Sequence, residues 1–279
     1  MTIVDLTKIG PVAPTDVGPP KRSRLGPGRS IPYGRVLGPL VVVAVWWAAS
    51  AAGLLDPRIL PTPGAVWTAA VDLIERGTLQ SSLAVSLQRA GLGFAVGATA
   101  GIALALVAGL SRVGEAVVDG WMQVQRSVPT LGLIPLMILW LGIGETFKVA
   151  IIAIVVAIIM YIQTYSGLTG IDSRYVELAE TVHLRRWQFI GTVVLPGSLP
   201  SVFVGLRLAV TGSWLSLVVL EQINATSGIG YLMFQAQNYA QTEVILVGLV
   251  VYGLFGFGSD GLLRVLERKV LSWRRTLSR

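Results

Sequence analysis

VAIIAIVVAIIMYIQTYSGLTGI, residues 149–171, holds no Asp, Glu, Lys or Arg. A helix needs about 20 predominantly apolar residues to cross the hydrocarbon core of a bilayer, and this stretch supplies them. Inside lipid every backbone N–H and C=O must be paired within its own segment, which makes such a run a helix. It is also too long and unbroken for a strand of a membrane barrel. Working outward, comparable runs occupy 36–55, 90–111 and 127–144 on the N-terminal side. On the C-terminal side they occupy 196–220, interrupted only by Arg207, and 244–259, extendable through Asp260 to about Leu266. The sequence therefore reads as an all-α membrane protein with about six transmembrane helices and a transmembrane domain covering 36–266.

Composition points the same way. Of 279 residues, 53% are hydrophobic and only 13% are charged, against about 25% in a globular domain. The mean hydropathy is +0.69. A soluble enzyme of this size would lack the polar surface to cover its core. The absence of cysteine excludes disulfides, thiolate catalysis, iron–sulfur clusters and cysteine-ligated zinc. The single histidine, His183, leaves no histidine-based metal site or catalytic triad within one chain. No cofactor is expected in this chain.

The net charge of +7 would suggest nucleic acid in a soluble domain, but here it follows the spans. Lys8, Lys21, Arg22, Arg24, Arg29 and Arg35 precede the first run; Arg264, Arg268, Lys269, Arg274, Arg275 and Arg279 follow the start of the last. An even number of spans puts both ends on one side, and the excess of Lys and Arg marks that side as cytoplasmic. Arg112, Arg126, Arg174, Arg185 and Arg186 fall in connections on the same side. The opposite connections carry Arg58, Arg76 and Lys148 against Asp56, Asp72, Glu75, Glu145, Glu221 and Glu243. The charge thus records topology in a lipid bilayer, with no nucleic-acid partner. Residues 1–35, basic and rich in Pro and Gly, read as a disordered cytoplasmic tail. Residues 267–279 read as a second basic cytoplasmic tail. Ala49-Ser50-Ala51 resembles a signal-peptidase site, but the basic region before it is long and the apolar run continues through Leu55, so the first span is expected to be retained. Val66, Ala69, Ala70 and Leu73 predict a short helix over 64–76, lying in the outer interface.

Within the spans, Gly93, Gly97 and Gly101 form a small-xxx-small ladder, the pattern of close helix contact in lipid. The scattered tryptophans read as belt and packing residues. Ser127-Val128-Pro129-Thr130 and Pro135 break the 127–144 run, either as an ordinary kink or as a kink beside a translocation path. Arg207 lies eleven residues after Pro196, roughly 16 Å along a helix at 1.5 Å per residue. An arginine that deep faces a polar interior or a partner. It either lines an anion path or pairs with a carboxylate such as Glu221 or Asp260. Arg89, at the start of the 90–111 run, reads as a helix-end pair.

The connection DSRYVELAETVHLRRWQFIGTVVL, residues 172–195, is patterned rather than loop-like. Tyr175, Leu178, Ala179 and Val182 fall at i, i+3, i+4 and i+7, and Trp187, Ile190 and Val194 make a second apolar stripe. Asp172 or Ser173 suits a cap. Two short amphipathic helices joined by a turn are expected to protrude into the cytoplasm, and an apolar face outside the membrane needs a partner surface.

Glu177-Leu178-Ala179, His183, Val193, Leu195 and Pro196 resemble the EAA loop of ABC importer permeases: Glu-Ala-Ala, three residues, Gly, nine residues, Ile-x-Leu-Pro. Leu178 replaces the middle Ala, Val193 the Ile and His183 the Gly, whose role is to permit a left-handed turn. Further strings carry the resemblance along the chain: Arg58-Ile59-Leu60-Pro61-Thr62-Pro63, Arg126-Ser127-Val128-Pro129, Leu133-Ile134-Pro135-Leu136, Leu139-Trp140-Leu141-Gly142-Ile143-Gly144, Leu195-Pro196-Gly197-Ser198-Leu199-Pro200-Ser201 and Ser227-Gly228-Ile229-Gly230-Tyr231. They resemble the aliphatic-sulfonate, taurine and nitrate importer permeases, the sulfonate members most.

The resemblance implies a type I ABC importer fold in a bacterial inner membrane. It implies a homodimer of two permease copies, two cytoplasmic ATPase subunits and an external substrate-binding protein. No Gly-x-x-x-x-Gly-Lys-Ser/Thr loop occurs here, so ATP and Mg belong to the partner ATPase and this chain is a transport subunit, not an enzyme. By the same resemblance Glu177, Leu178, Ala179, Val182, His183, Leu184, Arg185, Leu195 and Pro196 form the coupling element. Arg126, Pro129, Arg207, Ser213 and Trp214 are candidates for the path. Taurine, nitrate or bicarbonate, or another small solute, is the alternative cargo. A stand-alone secondary carrier is the alternative machine, but it would have no use for a patterned docking loop.

Overall fold

The computed structural model describes residues 34–273; they form helices joined by short turns and loops, with no strand among them. The expected tail at 1–35 falls outside the described residues except for its last two positions. So do residues 274–279 of the expected C-terminal tail.

Among the described residues, those up to Ala48 form one unit and those from Ala49 onward another. Helix α1 (Gly34–Ala51) carries Pro39 inside it. It stops four residues short of the end of the apolar run because Gly53, at φ +69°, turns the chain. Its N–H bonds Ser50 O at 3.1 Å and the Leu54 N–H bonds Ala49 O at 3.1 Å, the paired bonds of a Schellman stop. The apolar part of α1, Leu37–Ala51, is shorter than a full span.

In the second unit, α2 (Pro63–Glu75) occupies the expected short-helix segment. Thr62 caps it by accepting the Ala65 N–H, and Pro63 fits the first turn, where no donor is needed. Helix α3 (Thr78–Leu110) begins far ahead of the expected 90, so Arg89 lies inside it rather than at its end. Helix α4 (Arg112–Ser127) and helix α5 (Thr130–Leu141) together make one candidate span bent by 87°. A single span over 127–144 was expected; the apolar segment is instead a bent pair of helices that starts at Arg112. Pro129 lacks a donor and drives Val128 to extended backbone, φ −87° and ψ 126°, which ends α4. Pro135 causes no second break, because it sits in the first α-helical turn after the 3-10 turn Thr130–Leu133.

Helix α6 (Glu145–Thr169) covers the stretch quoted first. Helix α7 (Ser173–Thr181) follows, and then α8 (Arg186–Asn224), a single run of 39 residues. The expected second short helix is therefore not separate: its stripe forms the first turns of α8. A π-helical turn at Ile190–Val194 joins the two parts. Pro196 falls just beyond it, where the altered hydrogen-bond register tolerates a missing donor. Helix α9 (Ile229–Asn238) is short, and α10 (Thr242–Val270) runs past the expected end near Leu266. Helices α3, α6, α8 and α10 are each long and apolar enough to span, with the α4–α5 pair as a fifth. The sixth expected span corresponds to the shorter α1.

Helix α6 is the centre of the second unit. Phe147, Ile151, Ile152, Val156 and Met160 are fully buried. The glycine ladder of α3 packs on it: a Cβ on Gly93 would lie 2.6 Å from Ile152 Cγ2, and one on Gly101 2.5 Å from the Ala157 carbonyl oxygen. On its other flank, Gly167 admits α8 so closely that a Cβ would sit 2.7 Å from that of Ser201. Backbone contact of this kind supplies the dispersion energy that holds helices together in lipid.

Candidate coupling loop and buried charge network

The 172–196 segment is built from its caps outward. Asp172 accepts the Arg174 N–H at 3.0 Å and starts α7. The helix closes in a Schellman motif: the His183 N–H bonds Glu180 O at 3.1 Å and the Leu184 N–H bonds Ala179 O at 2.9 Å. His183 holds the left-handed position at φ +54°, where Gly is usual and a Cβ costs about 1–2 kcal/mol. The Arg185 N–H then donates to Gln188 Oε1 at 3.1 Å, capping α8. Arg186 Nη2 donates to Leu110 O at 2.7 Å, tying the start of α8 to the end of α3.

Of the predicted apolar stripe, Ala179 is buried, whereas Tyr175, Leu178 and Val182 are each more than half exposed. Leu184 and Trp187 are exposed beside them, and Leu195 partly so. Glu177 is exposed, and its carbonyl accepts the Thr181 hydroxyl at 2.8 Å. Pro196 lies in the first turn of the α-helical part of α8. Glu177, Leu178, Ala179, Val182, His183, Leu184 and Arg185 thus fall on one helix–turn–helix start with a free apolar face, whereas Leu195 and Pro196 lie farther along α8, beyond the π-helical turn.

The five predicted path residues do not converge. Arg126, exposed, is in the last turn of α4, and Pro129 is at the bend. Arg207 Nε lies 2.8 Å from Asp260 Oδ1, with Nη1 3.9 Å from Glu267. It is therefore paired, with Asp260 as the partner and not Glu221. The Ser213 hydroxyl is buried and bonds its own helix at Val210 O, 2.8 Å away. Trp214 Nε1 donates to Ser259 Oγ at 3.2 Å, and its ring packs against Tyr252 and Phe255.

The sequence reading missed the largest polar feature. Arg89 is 3% exposed and Glu221 0% exposed, deep enough that each would be costly alone. Arg89 Nη1 donates to Glu221 Oε1 at 2.7 Å and to the Ser227 carbonyl at 2.6 Å. Its Nε and Nη2 grip Glu145, the latter at 2.7 Å, and Lys148 Nζ lies 3.1 Å from the same carboxylate. Glu221 also accepts the Ser86 hydroxyl at 2.8 Å, the Gly230 N–H at 2.8 Å and the Tyr252 hydroxyl at 3.0 Å. Ser86 Oγ in turn accepts the Ile229 N–H at 2.9 Å. Two cations and two carboxylates thus close a network over α3, α6, α8, α9 and α10. The signal available was an arginine and a glutamate each bordering an apolar run.

Residues 97–272 match the family described as the binding-protein-dependent transport system inner membrane component. The chain belongs to this family. This permease is also similar to the putative aliphatic sulfonates transport permeases of Escherichia coli and Bacillus subtilis. The first is 44% identical over 84% of this chain and 89% of the relative. The second is 36% identical over 91% and 92%. The taurine transport system permease of E. coli is 31% identical over 84% and 86%. Among solved structures, an amino acid ABC transporter chain superposes with a TM-score of 0.58 over 71% of this chain and 97% of that one, at 17% identity, which bears on the fold alone. This permease is accordingly the multi-pass membrane subunit of an ABC importer and not an enzyme. It has the type I importer fold, and its family works with ATPase and binding-protein partners.

Proposed function

We propose that this permease imports an aliphatic sulfonate across a bacterial inner membrane. It works as a homodimer with two cytoplasmic ATPase subunits, which supply ATP and Mg, and an external binding protein that delivers cargo. Both termini face the cytoplasm, and the chain divides into a basic tail at 1–35, a transmembrane domain at 36–266 and a basic tail at 267–279. The observation that carries the coupling role is the apolar face of Tyr175, Leu178, Val182, Leu184 and Trp187, free beside a firmly capped turn. Glu177, Leu178, Ala179, Val182, His183, Leu184, Arg185, Leu195 and Pro196 form the element on which the ATPase docks. The names of the relatives favour sulfonate; taurine or nitrate cargo would use the same machine. Arg126 and Pro129 border the path, while Arg207 and Trp214, bonded to Asp260 and Ser259, hold the seam between α8 and α10, and Ser213 bonds within α8.

Replacing Glu177 with Ala, or deleting Glu177–Leu184, leaves membrane insertion intact and removes co-purification of the ATPase together with cargo-stimulated hydrolysis. Retention of both in the deletion would reject the coupling role. Uptake of ethanesulfonate, but not nitrate, by cells carrying the intact system checks the cargo.

A further inference from the structure

The arginines and lysine set well inside the spanning helices are nearly all neutralised by carboxylates. Arg89 is held by Glu145 and Glu221, Lys148 by Glu145, Arg207 by Asp260 and Arg264 by Asp260. Arg126 takes part in no ion pair among the described residues; neither do Arg112, Arg186, Arg268 and Lys269, but those lie in the first or last turn of a long helix run, whereas Arg126 lies at the bend inside the α4–α5 pair. It belongs to the span made by α4 and α5, one residue before α4 ends at the bend. An arginine at membrane depth without a partner is costly, and it is retained where it faces an aqueous cavity or meets an anion.

Such a cavity is present. Arg126 borders a space of about 250 Å³ shared with Asp119, Gln123, Tyr165 and Ser166. Asp119, Met122, Gln123 and Arg126 recur at helical spacing and so share one face of α4. Long helical side chains lean toward the N-terminus of their helix, which carries the guanidinium back over that face. The carboxylate there is already occupied: Asp119 Oδ1 accepts the Tyr161 hydroxyl at 2.9 Å and Oδ2 the Gln123 amide at 2.7 Å. The next acid, Glu115, accepts the Tyr165 hydroxyl at 2.8 Å. A π-helical turn, Glu115–Asp119, sets both acids toward the α6 tyrosines, leaving Arg126 open to a ligand.

We propose that Arg126 and this cavity form a transit site for a small oxyanion bearing one charge, with Asp119 rejecting anions that carry two. The site rests on the anion-importer reading and deepens it: one guanidinium balances one sulfonate. The second charge of a sulfate would face the Asp119 carboxylate, against which like-charge repulsion is strong in a low-dielectric setting.

The test uses the purified permease–ATPase complex without binding protein, with ethanesulfonate and sulfate as probes, read by thermal shift and by isothermal titration. Wild type responds to ethanesulfonate and at least tenfold more weakly to sulfate. Arg126→Gln loses the ethanesulfonate response and at least tenfold of uptake while still co-purifying with the ATPase, and Arg126→Lys restores part of both. Asp119→Asn raises the response to sulfate. Arg207→Gln retains the ethanesulfonate response. The proposal is overturned if wild type ignores ethanesulfonate, if Arg126→Gln binds and transports as wild type does, or if Arg126→Gln and Arg126→Lys both lose the ATPase. It is equally overturned if Asp119→Asn leaves the sulfate response unchanged. None of these outcomes touches the importer reading, which stands or falls on ATPase co-purification and cargo-specific uptake by the unmodified system.

Discussion

Glu221 has no exposed surface, and its two oxygens receive a guanidinium, two hydroxyls and a backbone N–H. A carboxylate so placed is stable only while its partners remain. Removing one member of a buried ion pair costs about 3–5 kcal/mol, whereas replacing both with apolar groups of similar size is often neutral. Glu221→Met and Arg89→Met are each expected to lower stability by roughly that amount. The double variant should recover at least half of the summed loss, because neither charge is then stranded. Thermal unfolding of the purified permease in detergent, run as a double-mutant cycle, measures the coupling. Additive losses would show that the two residues act separately. The sequence exposed both residues as borders of apolar runs. It could not expose their partnership, because the bond joins positions 132 residues apart and no local period encodes that distance. His183 was different: the resemblance places a turn-forming glycine at its position, and the histidine holds the left-handed turn all the same.

Among helices, the α3–α6 pair is set by three glycines. A Cβ at Gly97 would run into the Ala153 carbonyl and come within 2.8 Å of Val156 Cβ, whereas one at Gly91 would meet nothing within 4 Å. Gly97→Val should therefore push the two helices apart and cost about 1–3 kcal/mol. Gly91→Ala should be neutral or slightly stabilising, since Gly in a helix interior is about 1 kcal/mol worse than Ala. Thermal unfolding and the yield of folded protein distinguish them; equal behaviour would mean that the ladder does not set the contact. The small-xxx-small pattern was legible because it repeats every four residues. The ends of the spans were less so. A search for charge-free runs assumes that charges lie outside the membrane. It therefore cut α3 at Arg89 and ended the 196–220 run before Glu221, although both charges are satisfied inside the bundle, and the expected start at Pro196 fails because that proline follows a π-helical turn within one helix. The bend at Pro129 was visible as a breaker, but its 87° angle and the start of the bent pair at Arg112 depend on how α4 lies against α6.

Across the second unit as a whole, the docking face and the charge network are joined by α8. The helix begins at Arg186, tied to Leu110, and ends at Asn224, three residues beyond Glu221. Its 39 residues span about 58 Å at 1.5 Å per residue. Transport should depend on that continuity. Thr192→Pro, placed in the π-helical turn, is expected to retain ATPase co-purification through α7 while lowering uptake at least tenfold. Uptake at the wild-type level would show that the turn carries no motion.

The unbroken run from Arg186 to Asn224 gives the protein the character of a lever rather than a relay. A motor that rocks the short arm at Trp187 has no need to send a signal through successive side chains. The far arm would swing with it, carrying the clasp around Glu221, and the π-helical turn near the short end is where such a beam would flex.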